Sequence, residues 1–99
     1  MSKLTKSAKW QSCVVCGVED GSVVAAHYCG PRQLSLGKGR AIKAHDLASA
    51  ELCHRCHTEW MSEGKLPPLC QDKWEASEVR LHLCMLTNLR RFERGDLKC

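Results

Sequence analysis

The apolar and polar positions in the first half of the chain predict one short strand followed by a loop. Residues 22–28, Ser-Val-Val-Ala-Ala-His-Tyr, form a β-branched run that predicts a strand ending at His27. Gly30-Pro31 follows and stops it. Residues 30–43 then combine three glycines with four basic residues, which predicts a flexible basic loop or loose hairpin.

The second half of the chain predicts two helices. Residues 48–62 contain good helix formers and precede the stop signals Gly64 and Pro67-Pro68, so we expect a short helix there. Residues 72–94 predict a longer helix, because apolar residues recur at intervals of three and four. The apolar stripe comprises Val79, Leu83, Leu86, Leu89 and Phe92. The arginines expected off that face, on a solvated basic side, are Arg80, Arg90, Arg91 and Arg94.

The composition leaves little material for an ordinary hydrophobic core. The chain has 99 residues, and a domain of this size buries only roughly 60–70% of its unfolded surface. Hydrophobic residues make up 43% of the chain, but 8 of them are cysteines and only 5% of all residues are aromatic. We therefore expect one small domain that needs a further stabilising element.

The cysteines are not expected to form disulfides. The first nine residues lack the apolar segment of a secretion signal, and no stretch reaches the roughly 18 apolar residues of a membrane span. The sequence thus predicts a cytoplasmic protein with no membrane partner, whose thiols stay reduced. In that compartment, closely paired cysteines bind metal or do redox chemistry more often than they form bridges.

Two Cys-x-x-Cys pairs, Cys13 with Cys16 and Cys53 with Cys56, give the strongest chemical signal. Each pair can place two thiolates on one ion from a tight turn, and two pairs complete the tetrahedral four-sulfur shell of structural zinc. Gly17 suits a turn in which the residue after the pair needs a positive φ. The sequence therefore predicts one zinc ion that compensates for the thin core.

Other interpretations of the cysteines remain open at this point. They include a buried pair, a thioredoxin-like redox pair and an iron–sulfur cluster. His54 or His57 could also replace a cysteine in a mixed shell. The cysteines without a partner at metal spacing are expected to be free thiols: Cys29, Cys70, Cys84 and Cys99.

Between and beside the cysteine pairs the chain carries a strand histidine, an acidic residue and a histidine that follows a zinc ligand. The order is Ala26-His27, Gly37-x-Gly39, Lys43-x-x-Asp46, six residues, then Cys53-x-x-Cys56-His57. This pattern resembles the small phage- and prophage-encoded HNH-like (His-Me finger) nucleases of the YbcO type. The resemblance covers roughly residues 13–57. It departs from many HNH enzymes in two ways, because Ala26 stands where a metal ligand often precedes the base and Asp46 replaces the Asn.

The resemblance implies an α+β fold: a small zinc-stabilised ββα-metal, treble-clef-like domain with a C-terminal helical extension. Residues 1–99 would form one domain, with a basic arm at 1–12, the zinc core at 13–64 and the extension at 71–95. The resemblance implies that His27 is the general base of phosphodiester hydrolysis. It also implies that Asp46 and His57 hold a catalytic Mg²⁺ or Mn²⁺ ion.

The charge of the chain permits a nucleic-acid partner. The formal net charge is +4, and Lys38, Arg40 and Lys43 could contact the phosphate backbone, although a solvated loop is the alternative. The predicted function is therefore a metal-dependent DNA endonuclease of HNH type. The alternative is a non-catalytic zinc-binding module that docks on DNA or on a phage recombination or replication protein. A thiol-based regulator is a third, weaker candidate.

Overall fold

A computed structural model describes residues 6–32, 35, 45–62 and 65–97. It is a small α+β structure, as predicted. In chain order the elements are strand β1 (Val24–His27), strand β2 (Ser49–Leu52), helix α1 (His54–Trp60) and helix α2 (Lys73–Glu93). Helix α2 packs across β2, and the zinc-spaced cysteines lie in the turn before β1 and at the start of α1.

The two strands pair in antiparallel orientation, with Val24 opposite Leu52 and His27 opposite Ser49. The second edge of β2 is also covered. The Val14 N–H donates to the Glu51 carbonyl at 2.9 Å, and the Glu51 N–H donates to Thr87 Oγ1 of α2 at 3.0 Å. All four residues of β2 are buried, so this strand is the centre of the molecule.

The helix predicted over residues 48–62 is wrong in its first half. Ser49–Leu52 forms β2, and the helix covers only His54–Trp60. Ala50, Glu51 and Leu52 are good helix formers, but each preference is worth less than about 1 kcal/mol. Pairing with β1 and burial under α2 outweigh this local preference, because β structure is decided by neighbours more than by intrinsic tendency.

The helix predicted over residues 72–94 is confirmed closely, since α2 covers Lys73–Glu93. Asp72 caps it: Oδ1 accepts hydrogen bonds from the backbone N–H groups of Trp74 at 2.9 Å and Glu75 at 2.8 Å. At the other end Gly95 has φ +87°, and its N–H donates to the Phe92 carbonyl at 3.2 Å. Both boundaries are therefore set by local backbone chemistry.

The orientation of α2 about its axis differs from the prediction. Leu89 and Phe92, expected in the core, are each 53% exposed, whereas Arg80 and Arg91, expected in solvent, are 5% and 0% exposed. The buried face of α2 consists of Ala76, Ser77, Arg80, Leu83, Cys84, Thr87 and Arg91. This face is largely polar because it covers backbone groups of the loops and of β2, which need hydrogen-bond partners once they are buried.

The core lies between β1, β2 and α2. It consists mainly of small residues and cysteines, with Tyr28, Leu52, Val23, Met61 and Leu83 as its larger members. Part of the predicted arm also packs here, because Ala8 is fully buried and the Ser12 carbonyl accepts a hydrogen bond from Arg90 Nη1 at 2.9 Å. Over the part of the chain that the structure describes, no helix has the length and apolar character needed to cross a bilayer.

Candidate metal centre and histidine site

The four zinc-spaced cysteines come together from two turns. In the first turn the Gly17 N–H donates to the Cys13 carbonyl at 2.9 Å, and Gly17 has φ +78° as predicted. In the second, Cys53 directly follows β2 and precedes the first residue of α1. The His57 N–H donates to the Cys53 carbonyl at 2.8 Å. The contact between Val14 and Glu51 joins the first turn to β2 and so fixes the two turns relative to each other.

The ligand atoms have the spacing of a mononuclear tetrahedral site. The Sγ atoms of Cys13, Cys16, Cys53 and Cys56 all lie within 4.8 Å of one another, and Cys16 Sγ is 3.6 Å from Cys53 Sγ. A tetrahedron with Zn–S bonds of about 2.3 Å has edges of about 3.8 Å. The cluster could therefore hold a structural metal ion such as zinc.

The electrostatics of the cluster favour deprotonation at one cysteine. Burial by itself raises the pKa of Cys13, but hydrogen bonds from the backbone amides of Cys16, Cys53 and Val15 outweigh it and lower the pKa to about 6. Burial and the neighbouring sulfurs raise the pKa of Cys56. A divalent cation would offset this repulsion among closely packed sulfurs, because metal binding displaces thiol protons.

The structure brings together two of the three residues assigned to the nuclease site. His27 Nε2 lies 2.9 Å from Asp46 Oδ1, with side-chain exposures of 16% and 36%. His27 ends β1, and its pairing with Ser49 brings the segment before β2 alongside it. Ser49 Oγ donates to the Asp46 carbonyl at 2.5 Å and so helps to hold the backbone of that segment.

Helix α2 supports the Asp46 segment through two residues that the sequence interpretation did not assign to the site. Asn88 Nδ2 donates to the Leu47 carbonyl at 2.7 Å. Arg91 Nη2 donates to Ser49 Oγ at 2.8 Å, and Nη1 donates to Asn88 Oδ1 at 2.8 Å. The only signal in the sequence was the three-residue interval between Asn88 and Arg91, which places them on one helix face but does not tell which element that face covers.

The third residue of that site, His57, lies exposed on α1, one position after Cys56. Partial desolvation, with a smaller effect of His54, lowers its pKa. Within the described ranges, only the four cysteines form a group of three or more His, Cys, Asp or Glu side chains placed to hold an ion. His27, Asp46 and His57 are thus not gathered into one such group, and the catalytic role of all three stays a prediction.

Three basic residues predicted to contact phosphate, Lys38, Arg40 and Lys43, lie outside the described residues. So does the terminal Cys99. Of the other cysteines without a partner at metal spacing, Cys29 and Cys84 are buried and Cys70 is half-buried, and none of these three forms a disulfide. The Cys29 thiol donates a hydrogen bond to the Met61 carbonyl at 3.3 Å. Burial raises the pKa of Cys84 to about 12, so it behaves as a small apolar residue.

No family model, no curated protein and no solved structure matches this chain.

Proposed function

We propose that this chain is a zinc-stabilised, metal-dependent DNA endonuclease of HNH type. In this proposal β1, β2 and α1 form a ββα-metal unit of treble-clef type, α2 is its helical extension, and the protein acts in the cytoplasm. The hydrogen bond between His27 Nε2 and Asp46 Oδ1, at 2.9 Å, is the observation that carries the proposal. A histidine at a strand end, oriented by a carboxylate and only partly exposed, has the surroundings expected of a general base.

The zinc ion would hold this unit together. Cys53 directly follows β2 and Cys56 lies on α1, while Cys13 and Cys16 lie in the turn before β1. One ion bound to all four sulfurs would connect the turn before β1, the end of β2 and α1. It would thereby hold the backbone of β1, which ends at His27. Its role would be structural, because four protein ligands leave no position for water or substrate.

In this proposal Nδ1 of His27 is the nitrogen that acts, because Nε2 faces Asp46 Oδ1. When Nε2 carries the proton, its N–H donates a hydrogen bond to Asp46 Oδ1. Nδ1 of the neutral ring then has a free lone pair and can accept a proton. Nδ1 would then take a proton from the water whose oxygen attacks the phosphorus of the DNA backbone. The bond from phosphorus to the leaving oxygen breaks, and that oxygen takes a proton from solvent. Asp46 stabilises the imidazolium that forms on His27.

A catalytic Mg²⁺ or Mn²⁺ held by Asp46 and His57 is part of the proposal. Such an ion would neutralise charge on the phosphate and the leaving oxygen. His57 is not gathered with His27 and Asp46 into one group of ligands in the described residues, so the roles given to His27 and Asp46 do not depend on the ion. Lys38, Arg40 and Lys43 would contact the DNA backbone.

A non-catalytic zinc-binding module is the second candidate function. A non-catalytic zinc module needs the four cysteines but not an assembled cation site, and the cysteine cluster is the one assembled ligand group among the described residues. Such a module would dock on DNA or on a phage recombination or replication protein.

Cleavage of a supercoiled plasmid with Mg²⁺ or Mn²⁺ separates the two candidates. The variants are His27→Ala and Asp46→Asn, and His82→Ala is the matched control because His82 is an exposed histidine on α2. Zinc content is measured for each protein so that loss of folding is not mistaken for loss of catalysis. We expect His27→Ala to lose about 100-fold or more in rate with zinc retained. A wild-type protein that binds DNA but never cleaves it would establish the module instead.

A further inference from the structure

Helix α2 exposes an apolar stripe on the side that faces away from the core. Trp74, Met85, Leu89 and Phe92 are 52%, 60%, 53% and 53% exposed. Leu81 is half-buried beside them and also packs against the edge of the core. At about 100° per residue, these five side chains fall within an arc of roughly 80°. The buried side of the same helix includes Ser77, Arg80, Thr87 and Arg91, so the apolar residues of α2 are divided between its two sides instead of being gathered on the core side.

The stripe is large enough to be an interface. Aromatic side chains have roughly 150–250 Å² of surface to bury, so the exposed fractions amount to roughly 450 Å² of apolar area on α2. A cavity of about 700 Å³, lined in part by Leu47, Leu81 and Met85, opens beside the middle of the stripe and extends the apolar area. The largest apolar patch on a typical monomer is roughly 300–600 Å² and often has a function, so the stripe and the cavity beside it together reach the upper part of that range or exceed it.

The spacing of residues along the stripe is symmetric, which suits packing against the same stripe of a second copy. Trp74, Leu81, Met85 and Phe92 follow one another at intervals of 7, 4 and 7 residues, which is the same series in both directions. When two such helices pack antiparallel about a two-fold axis, Trp74 comes level with Phe92 of the second copy and Leu81 comes level with Met85. These four side chains then meet an apolar residue of the second copy, as an isologous contact requires, while Leu89 comes level with the buried Ser77 and lies at the side of the contact.

The charges at the two ends of the stripe agree with the same register. Arg32 and Lys73 lie over the Trp74 ring, at 5.2 and 5.5 Å from its centroid. The opposite end carries the exposed Glu93 next to Phe92. The antiparallel register brings Lys73 level with Glu93 of the second copy at both ends. A parallel register would instead bring like charges together.

We propose that the apolar stripe on α2 is the interface of an antiparallel two-fold homodimer. A standard interface buries about 800 Å² on each partner, so the stripe would be its apolar centre and the flanking polar residues its rim. This proposal does not depend on the nuclease proposal.

Sedimentation of the zinc-bound protein over a range of concentrations tests the interface. The wild type is expected to shift from 11.1 kDa toward twice that mass, while Met85→Glu raises the dimer dissociation constant at least tenfold. Leu66→Glu is the matched control, because Leu66 is an exposed leucine outside α2 and its variant should dimerise like the wild type. Circular dichroism checks that Met85→Glu remains folded.

Charge reversal tests the register. Lys73→Glu and Glu93→Lys should each weaken the dimer about two- to fivefold at low salt, and the double variant should recover the wild-type constant. A protein that remains monomeric throughout, or a dimer unaffected by Met85→Glu, overturns the proposal. A monomer whose DNA affinity falls in Met85→Glu overturns it as well and assigns the stripe to nucleic acid.

Discussion

Arg80 provides the sharpest test of how α2 is oriented. Arg80 is 5% exposed. Its guanidinium donates to four backbone carbonyls: Trp60 at 2.9 Å, Cys29 at 3.0 Å, Ser62 at 3.0 Å and Lys65 at 2.8 Å. These carbonyls belong to the end of α1, the residues that follow it and the segment after β1. One side chain therefore ties three parts of the chain to α2, and Arg80→Ala would remove all four bonds at once.

The expected loss of stability is large. A hydrogen bond from a charged donor contributes about 1.5–3 kcal/mol, but three of the four bonds are only partly buried, so water can replace some of them. We therefore expect the free energy of unfolding to fall by about 3–5 kcal/mol, because each carbonyl left without a donor where water cannot reach it costs about 1–3 kcal/mol. In a domain of this size the melting temperature would fall by roughly 12–40 °C.

Urea unfolding followed by circular dichroism, with zinc in fixed excess, measures this loss. Arg80→Lys keeps the positive charge but places fewer N–H donors near the carbonyls. Its loss of stability should therefore be about half that of Arg80→Ala. Arg90→Ala is the graded control, because Arg90 donates to one backbone carbonyl, that of Ser12, and should cost about 1 kcal/mol.

A change of less than about 0.5 kcal/mol in Arg80→Ala, the range of an ordinary surface substitution, would refute this reasoning. It would mean that Arg80 lies on the solvated side of α2, as the spacing of apolar residues predicted, and that the four carbonyls do not depend on it.

Three further predictions concern the metal centre and the ion pairs. Cys16→Ser should lower zinc content and thermal stability together. Cys70→Ser should change neither, because Cys70 lies outside the cysteine cluster. Equal zinc content in both variants would contradict the assignment of Cys16 as a zinc ligand. Arg94→Ala should cost about 3–5 kcal/mol, because Glu51 is fully buried and both of its oxygens accept from Arg94. Adding Glu51→Gln should recover part of that loss, and no recovery would argue against an unpaired charge as the cause. A hydrogen bond from Arg94 holds the pKa of Asp96 below its ordinary 3.8. The pair therefore stabilises the fold above pH 3.8, and this stabilisation is lost as the pH falls through the pKa that Asp96 has in the folded state. Asp96→Asn should therefore be less stable than the wild type at neutral pH by under about 1 kcal/mol, with a difference that shrinks in acid; a constant difference would contradict this.

The features that the sequence determined by itself are those that depend on a few consecutive residues. Each Cys-x-x-Cys pair forms a turn within its own segment, and Gly17 takes its positive φ from local sterics alone. The boundaries of α2 follow from Asp72 at one end and Gly95 at the other. A sequence pattern can fix such features because both partners of each interaction lie within a few positions of one another.

The tertiary structure alone decided which faces are buried and which distant groups meet. Ser49–Leu52 is a strand because β1 and α2 enclose it, although its residues favour a helix. Arg80 is buried because four carbonyls from three segments converge on it, and His27 meets Asp46 across an interval of 19 residues. Sequence spacing carries no information about such convergence, because the free energy comes from partners that only the folded chain brings together.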